Sequence, residues 1–334
     1  MKRAMQEVQP QWIKEKPIFS WDHPSSSEGI HNYDKFYGIS SNGNERHYGY
    51  LEVAKEKIFV QMYAPNQIKI NDETVLLLHG YMDHSATSVA LINHLLKNGY
   101  RVITFDWQGH GLSSGSRYNI PSFHEYLQVL EKIANQVLEK IGPKALHIVA
   151  HSTGAAVTMD GLLRGHLRVN QVVLTAPLYT IPFGLLAERV FPLVQPIRSE
   201  IKRVYRKHSS DPIFLKKMKE DPLQHHTLPI NWFSSLVKWK KEVNMKEAKK
   251  TKGITVLQGT KDTTVHWKEN LRWIKKKFPN SDLLLIDEGR HHLWNERQGI
   301  REIVFSQIIK GLQTETCMSG SLSRTDENEF VKQC

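Results

Sequence analysis

This chain of 334 residues predicts an α/β protein with a doubly wound, mainly parallel sheet and a helical cap insertion. Three observations carry that prediction. Short apolar runs of strand length alternate with longer helical stretches, the pattern of strands joined by crossover helices. One run, Ile148-Val149-Ala150, ends at a serine between small residues and passes straight into a helix-forming stretch. A long gap between Pro177 and Gly253 then interrupts the alternation. With 40% hydrophobic residues, a chain of this length can bury a full core.

The expected strands are Ile58–Ala64, Val75–His79, Arg101–Asp106, Leu146–His151, Val172–Ala176, Ile254–Gln258 and Leu283–Asp287. Each is a short apolar or β-branched run closed by polar or Gly-containing residues. The expected helices are Ala86–Lys97, Ser122–Glu139, Thr153–Leu163, Trp267–Phe278 and Gly299–Leu312. Before them, residues 1–45 are rich in Trp, Pro, His and Ser without a clear period and read as an N-terminal arm. The core is expected over 46–177 and 254–312, the cap over 178–253, and a disordered tail over 313–334.

The segment Leu146–Gly154 has the layout of a nucleophile elbow, a strained strand-to-helix turn that lifts a serine Oγ clear of the sheet. Ala150 and Gly154 flank Ser152 at two residues' distance, where the doubling backbone leaves no room for large side chains. The usual pattern has Gly at the first of these positions. A serine hydroxyl needs a base to take its proton and a carboxylate to hold that base in the right tautomer. On this architecture the partners follow in the order acid, then histidine, at the ends of later strands. Ile254-Thr255-Val256-Leu257 leads into a turn carrying Asp262, and Leu283-Leu284-Leu285-Ile286 leads into His291 and His292. Alone, Asp262 reads as a solvated turn residue and the histidines as a surface pair; together in order they read as a triad. No third metal ligand stands at a short, recognisable spacing from His291 and His292, so neither a metal nor an organic cofactor is expected. Thr74–Leu78 runs into His79-Gly80-Tyr81, a loop placed to give one backbone N–H to an oxyanion, at Tyr81. Thr153, after the serine, supplies the other.

These motifs resemble those of the α/β-hydrolase superfamily, and within it the monoacylglycerol lipase and lysophospholipase group, also called serine aminopeptidase-like hydrolases. His79-Gly80-x-x-Asp83-His84-Ser85 is similar to that group's His-Gly-x-x-Glu-His-Ser loop, with Asp for Glu. Asp106-x-x-Gly109-His110-Gly111-x-Ser113-x-Gly115 matches a second loop, and Gly289–Glu296 resembles the catalytic-histidine segment. In that segment the histidine precedes x-x-x-Asn-Glu, a register that selects His291 over His292. The resemblance spans roughly Gly49 to Gly311 and implies Ser152, Asp262 and His291 as a triad acting on carboxylic esters. It points to a single-chain lipid ester, a lysophospholipid or a monoacylglycerol, as substrate. An acyltransferase or a peptidase would use the same machinery, and a non-catalytic binding protein would share the fold.

The insertion begins with a strongly apolar stretch, Ile181–Val194, and continues with many lysines, from Lys202 to Lys252. A greasy wall suits an acyl chain, and a basic rim suits peripheral contact with an anionic membrane surface. The plainer reading is that the apolar residues cover the core and the lysines keep a surface solvated. Net charge is +11, yet no Zn-ligand spacing, aromatic RNA-binding strand or helix-turn-helix signature accompanies it, so no specific nucleic acid is expected. No apolar run is long enough to span a bilayer, and no apolar segment follows Lys2-Arg3 as in a signal peptide. The two cysteines, Cys317 and Cys334, fall in the expected tail and cannot staple the core, which suits a reducing cytoplasm.

Overall fold

The central strands are continuous apolar runs because both sheet faces are covered. Thr74–Leu78, Leu146–His151 and Val172–Thr175 are buried at every position. In the computed structural model, residues 16–39, 44–65, 73–141, 146–182, 199–203 and 207–313 are described. In chain order the strands are β1 (Glu45–Val53), β2 (Glu56–Ala64), β3 (Thr74–Leu78), β4 (Arg101–Phe105), β5 (Leu146–His151), β6 (Val172–Thr175), β7 (Glu200–Lys202), β8 (Thr227–Pro229), β9 (Ile254–Gly259) and β10 (Asp282–Ile286). Eight of them form one sheet in the order β1-β2-β4-β3-β5-β6-β9-β10. Pairing is parallel from β4 to β10, while β2 runs antiparallel to both β1 and β4.

The described helices are α1 (Glu28–Tyr37), α2 (Val89–Lys97), α3 (Phe123–Ile141), α4 (Thr153–Arg164), α5 (Pro212–Glu220), α6 (Ile230–Asn244), α7 (Trp267–Lys277) and α8 (Gln298–Gln313). Strand residues alternate between two cores, as the pleat requires. Leu76, Leu78, Ile148 and Ala150 meet α3, α4, α6 and α7 on one face. On the other, Val75, Leu77 and Val149 meet α1, α2 and α8. This is the doubly wound arrangement that the sequence predicts.

Several elements differ from expectation. The helix expected from Ala86 opens as a 3-10 turn, Ser85–Ser88, before α2. β1 went unannounced because a polar residue or glycine breaks its apolar alternation, and it is held by the full register with β2. The region expected to lack a clear period carries α1, whose start is capped by the Ser27 hydroxyl accepting from Ile30 N–H. Gly38 ends that helix at φ 76°, a left-handed turn that glycine adopts without strain. Ile30 and Tyr33 on α1 are buried against the core, and Pro17 and Phe19 exchange backbone hydrogen bonds with Tyr50 on β1. Between β6 and β9 the insertion contributes the β7–β8 ribbon, α5 and α6. Its apolar stretch after Pro182, and everything beyond Gln313 including both cysteines, lies outside the described residues.

One buried side chain of β5 sets a pH limit on stability. The His147 imidazole is buried 3.9 Å from Glu73 Oε1, and burial pushes it down to about 4 from 6.5. Above pH 6.5 both folded and unfolded chains keep it neutral, so it has no effect. As pH falls toward 4 the unfolded chain takes up the proton first, which costs the fold up to about 3 kcal/mol. A His147→Gln variant is expected to flatten the pH dependence of the urea midpoint over that window. Identical slopes for variant and parent would exclude His147 as a source of acid lability.

Candidate active site

Ser152 sits where β5 turns into α4, at φ 49° and ψ −109°, a conformation L residues rarely adopt. Its surroundings require the small neighbours seen in the sequence. A Cβ on Gly154 would lie 2.8 Å from His79 O, and one on Gly80 would lie 3.1 Å from Ser152 Cβ. The elbow is thus wedged against the loop after β3. Ser152 N–H donates to Thr175 O, and the sheet pairing through Ala150 holds the turn in place.

His291 Nε2 lies 3.1 Å from Ser152 Oγ, and His291 Nδ1 lies 2.8 Å from Asp262 Oδ2. The structure thus brings together three residues from distant parts of the chain in one hydrogen-bonded line. Asp262 also accepts from Gln258 Nε2 at 3.1 Å, from Thr264 N–H at 2.8 Å and from Val265 N–H at 3.3 Å. Burial alone would raise its pKa. The His291 charge and these donors more than offset that and hold it below the ordinary carboxylate value. The carboxylate fixes the imidazole tautomer with Nε2 toward the hydroxyl.

The loops bearing Asp262 and His291 touch backbone to backbone. Lys261 N–H donates to Gly289 O at 2.9 Å, and a Cβ on Gly259 would lie 2.3 Å from that oxygen. Glu296 then fixes the histidine loop from below, with Oε1 accepting Arg290 N–H at 2.6 Å and Oε2 accepting Ser210 N–H at 2.6 Å. Asn295 Nδ2 donates to Thr87 O at 2.9 Å. The Asn-Glu pair after the histidine therefore ties that loop to the insertion and to the segment after β3.

Tyr81 and Thr153 line the same pocket as Ser152. The Thr153 N–H opens α4, where no intrahelical carbonyl is available to it. The Tyr81 loop is braced by His79, whose Nδ1 donates to Gly80 O and whose Nε2 accepts Trp107 N–H at 3.0 Å. Asp106 accepts from Ser85 N–H at 2.7 Å and Leu112 N–H at 2.8 Å. A Cβ on Gly111, at φ 48°, would collide with that carboxylate. The Asp-x-x-Gly-His-Gly loop is thus scaffolding for the Tyr81 loop. His84 Nε2 pairs with Asp221 Oδ2 at 2.8 Å, and Tyr37 OH donates to Asp221 Oδ1 at 2.8 Å. One insertion carboxylate therefore joins α1 to the Tyr81 loop.

The pocket over Ser152 has a volume of about 270 Å³. Leu178, Ile181, Leu228, Trp232, Phe233 and Val265 give it apolar walls, and Trp232 stacks on Tyr81 at 3.7 Å. Sequence reasoning missed Trp232 and Phe233 as pocket residues, since an aromatic on an insertion helix gives no signal of which surface it covers. Asp83 and His292 line the same pocket. Burial pushes Asp83 up to about 7 against the opposing pull of Arg203, and pushes His151 and His292 down. A larger cavity of about 540 Å³, walled by Phe36, Ile213 and Phe214, includes none of the three aligned residues.

A mainly parallel sheet carrying a serine on a strained turn, with an acid and a histidine on later strand ends, is the α/β-hydrolase arrangement. The model of the family described as serine aminopeptidase, S33, matches residues 69–298, and the chain belongs to that family. It is similar to Homo sapiens monoglyceride lipase, 23% identical over 266 residues that make up 75% of this chain and 85% of that one. It is also similar to the probable lysophospholipase BODYGUARD 2 of Arabidopsis thaliana, 27% identical over 164 residues, 48% of this chain but only 32% of that protein. A soluble variant of monoglyceride lipase from Saccharomyces cerevisiae, solved in complex with a substrate analog, shares the fold. Its TM-score is 0.69 at 20% identity, covering 79% of this chain and 94% of that one.

Proposed function

We propose that the chain is a serine hydrolase that cleaves carboxylic esters of single-chain lipids, a lysophospholipid or a monoacylglycerol. Family membership makes it an α/β-hydrolase, and the monoglyceride lipase and lysophospholipase relatives support ester cleavage. The observation that carries the reading is the line Asp262–His291–Ser152, with hydrogen-bond separations of 2.8 and 3.1 Å.

In this reading Ser152 Oγ attacks the ester carbonyl while His291 Nε2 takes its proton, and Asp262 stabilises the imidazolium that forms. The Tyr81 and Thr153 N–H groups hold the oxyanion; losing one such donor typically costs about 3 kcal/mol of transition-state stabilisation. As the tetrahedral intermediate collapses, the C–O bond to the alcohol breaks and His291 returns its proton to that oxygen. Water then attacks the acyl-serine, giving its proton to His291, and the carboxylic acid leaves as Ser152 is reprotonated. The apolar walls from the insertion support an acyl chain as occupant. In the same reading residues 178–253 act as a cap, and exposed lysines such as Lys216, Lys217 and Lys219 on α5 support contact with an anionic lipid surface. Among the described residues no helix is long and apolar enough to cross a membrane.

A fluorophosphonate probe is expected to label the parent protein and to leave Ser152→Ala unlabelled at unchanged thermal stability. Labelling that survives the substitution would refute Ser152 as the nucleophile. A panel of lysophosphatidylcholine, monoacylglycerol, short p-nitrophenyl esters and an aminoacyl amide then separates lipid esterase from peptidase.

A further inference from the structure

Beside the aligned triad, and unused by it, three further side chains converge. Asp83 comes from the loop after β3, His151 from the end of β5 and His292 from the residue after His291. One ligand atom from each lies within 4.8 Å of the others, and all three residues are buried. His292 Nε2 stands 3.7 Å from Asp83 Oδ1, too far for a hydrogen bond. His151 Nδ1 donates to Thr175 O at 3.2 Å, which leaves Nε2 as an unprotonated lone pair. That nitrogen is buried with no hydrogen-bond partner. Buried polar atoms are rarely left without partners, so the cluster lacks something its own residues do not supply.

We propose that Asp83, His151 and His292 bind a divalent transition-metal ion, with Zn²⁺ the best suited, and that its occupancy suppresses nucleophilic attack by Ser152. Two imidazoles and a carboxylate are a common donor set for Zn²⁺, with a fourth position open to the pocket. The hydrogen bond from His151 Nδ1 to a backbone carbonyl is the outer contact that orients metal-binding histidines. Around a tetrahedral ion with bonds of ~2.0 Å the ligand atoms would stand about 3.3 Å apart. The ligand atoms therefore have to close by up to about 1.5 Å, which χ rotations of the three side chains can supply. Arg203 lies near enough for its charge to act on Asp83 and His292, and that charge opposes a cation bound there. The His151 ring lies 4.7 Å from the His291 ring, so a dication bound there opposes the positive charge that His291 must acquire.

The inhibitory half rests on the hydrolase reading, whereas the binding half does not. Calorimetric titration of the untagged full chain with ZnCl₂ is expected to give one ion per chain and a raised Tm. His292→Gln and Asp83→Asn are each expected to weaken binding by about tenfold or more. Co²⁺ in the parent is expected to give the visible bands of a low-coordinate nitrogen–oxygen site, a readout that needs no variant. Saturating Zn²⁺ is expected to slow fluorophosphonate labelling by about tenfold or more, with EDTA restoring it. Absence of binding, or stoichiometric binding unchanged in both variants, would overturn the site. Binding without slower labelling would overturn the inhibitory role. A protein that binds one Zn²⁺ at these residues but never labels retains the metal site and refutes the hydrolase reading alone.

Discussion

Replacing His291 by alanine is expected to lower kcat for ester hydrolysis by about 10⁵- to 10⁶-fold and to leave KM within a few-fold. The imidazole Nε2 lies within bonding reach of Ser152 Oγ, where the proposed mechanism has it remove the hydroxyl proton. Asp262→Asn is expected to cost about 10⁴-fold, because an amide in place of the carboxylate favours the wrong tautomer of His291. Purified variants assayed on a soluble p-nitrophenyl ester, with folding checked by thermal melt, read both losses. A folded His291→Ala enzyme that kept a hundredth of parental kcat would sink the assignment.

Gly259→Ala is the second large effect expected, and it acts without touching substrate. The added methyl would stand 2.3 Å from Gly289 O and 2.6 Å from Arg290 O, both backbone atoms that no side-chain rotation can clear. The turns bearing Asp262 and His291 must separate, and overpacking of this kind costs roughly 3 kcal/mol of stability. Shifting the imidazole by about an ångström costs on the order of 10²-fold in kcat. Urea unfolding and steady-state kinetics on the same preparation read the two losses, and parental values for both would refute close packing between these turns.

The parallel core was legible because strands covered on both faces must be continuously apolar, and Val75, Leu76 and Leu77 or Ile148 and Val149 leave little choice. Ser152, Asp262 and His291 stood out because each follows such a run at a turn. Asp83, His151 and His292 did not stand out as a group, since Asp83 is brought to the histidines by the fold alone and no spacing records that. The capping serine of α1 and the glycine that ends it are ordinary helix-boundary residues, but the Pro- and Trp-rich residues before them masked that signal. Within the insertion, Trp232 and Asp221 act through contacts to Tyr81 and His84, which no local pattern encodes.

Glu296 grips two chain segments with one carboxylate, Arg290 through one oxygen and Ser210 through the other. The segment that follows His208, a residue lining the pocket over Ser152, and the loop bearing His291 therefore share a single anchor. In the proposed hydrolase, a guest bulky enough to push His208 outward would pull on the mooring that steadies the imidazole, joining accommodation to turnover. Fit alone would then separate good guests from poor ones, even when both present the same carbonyl to the serine.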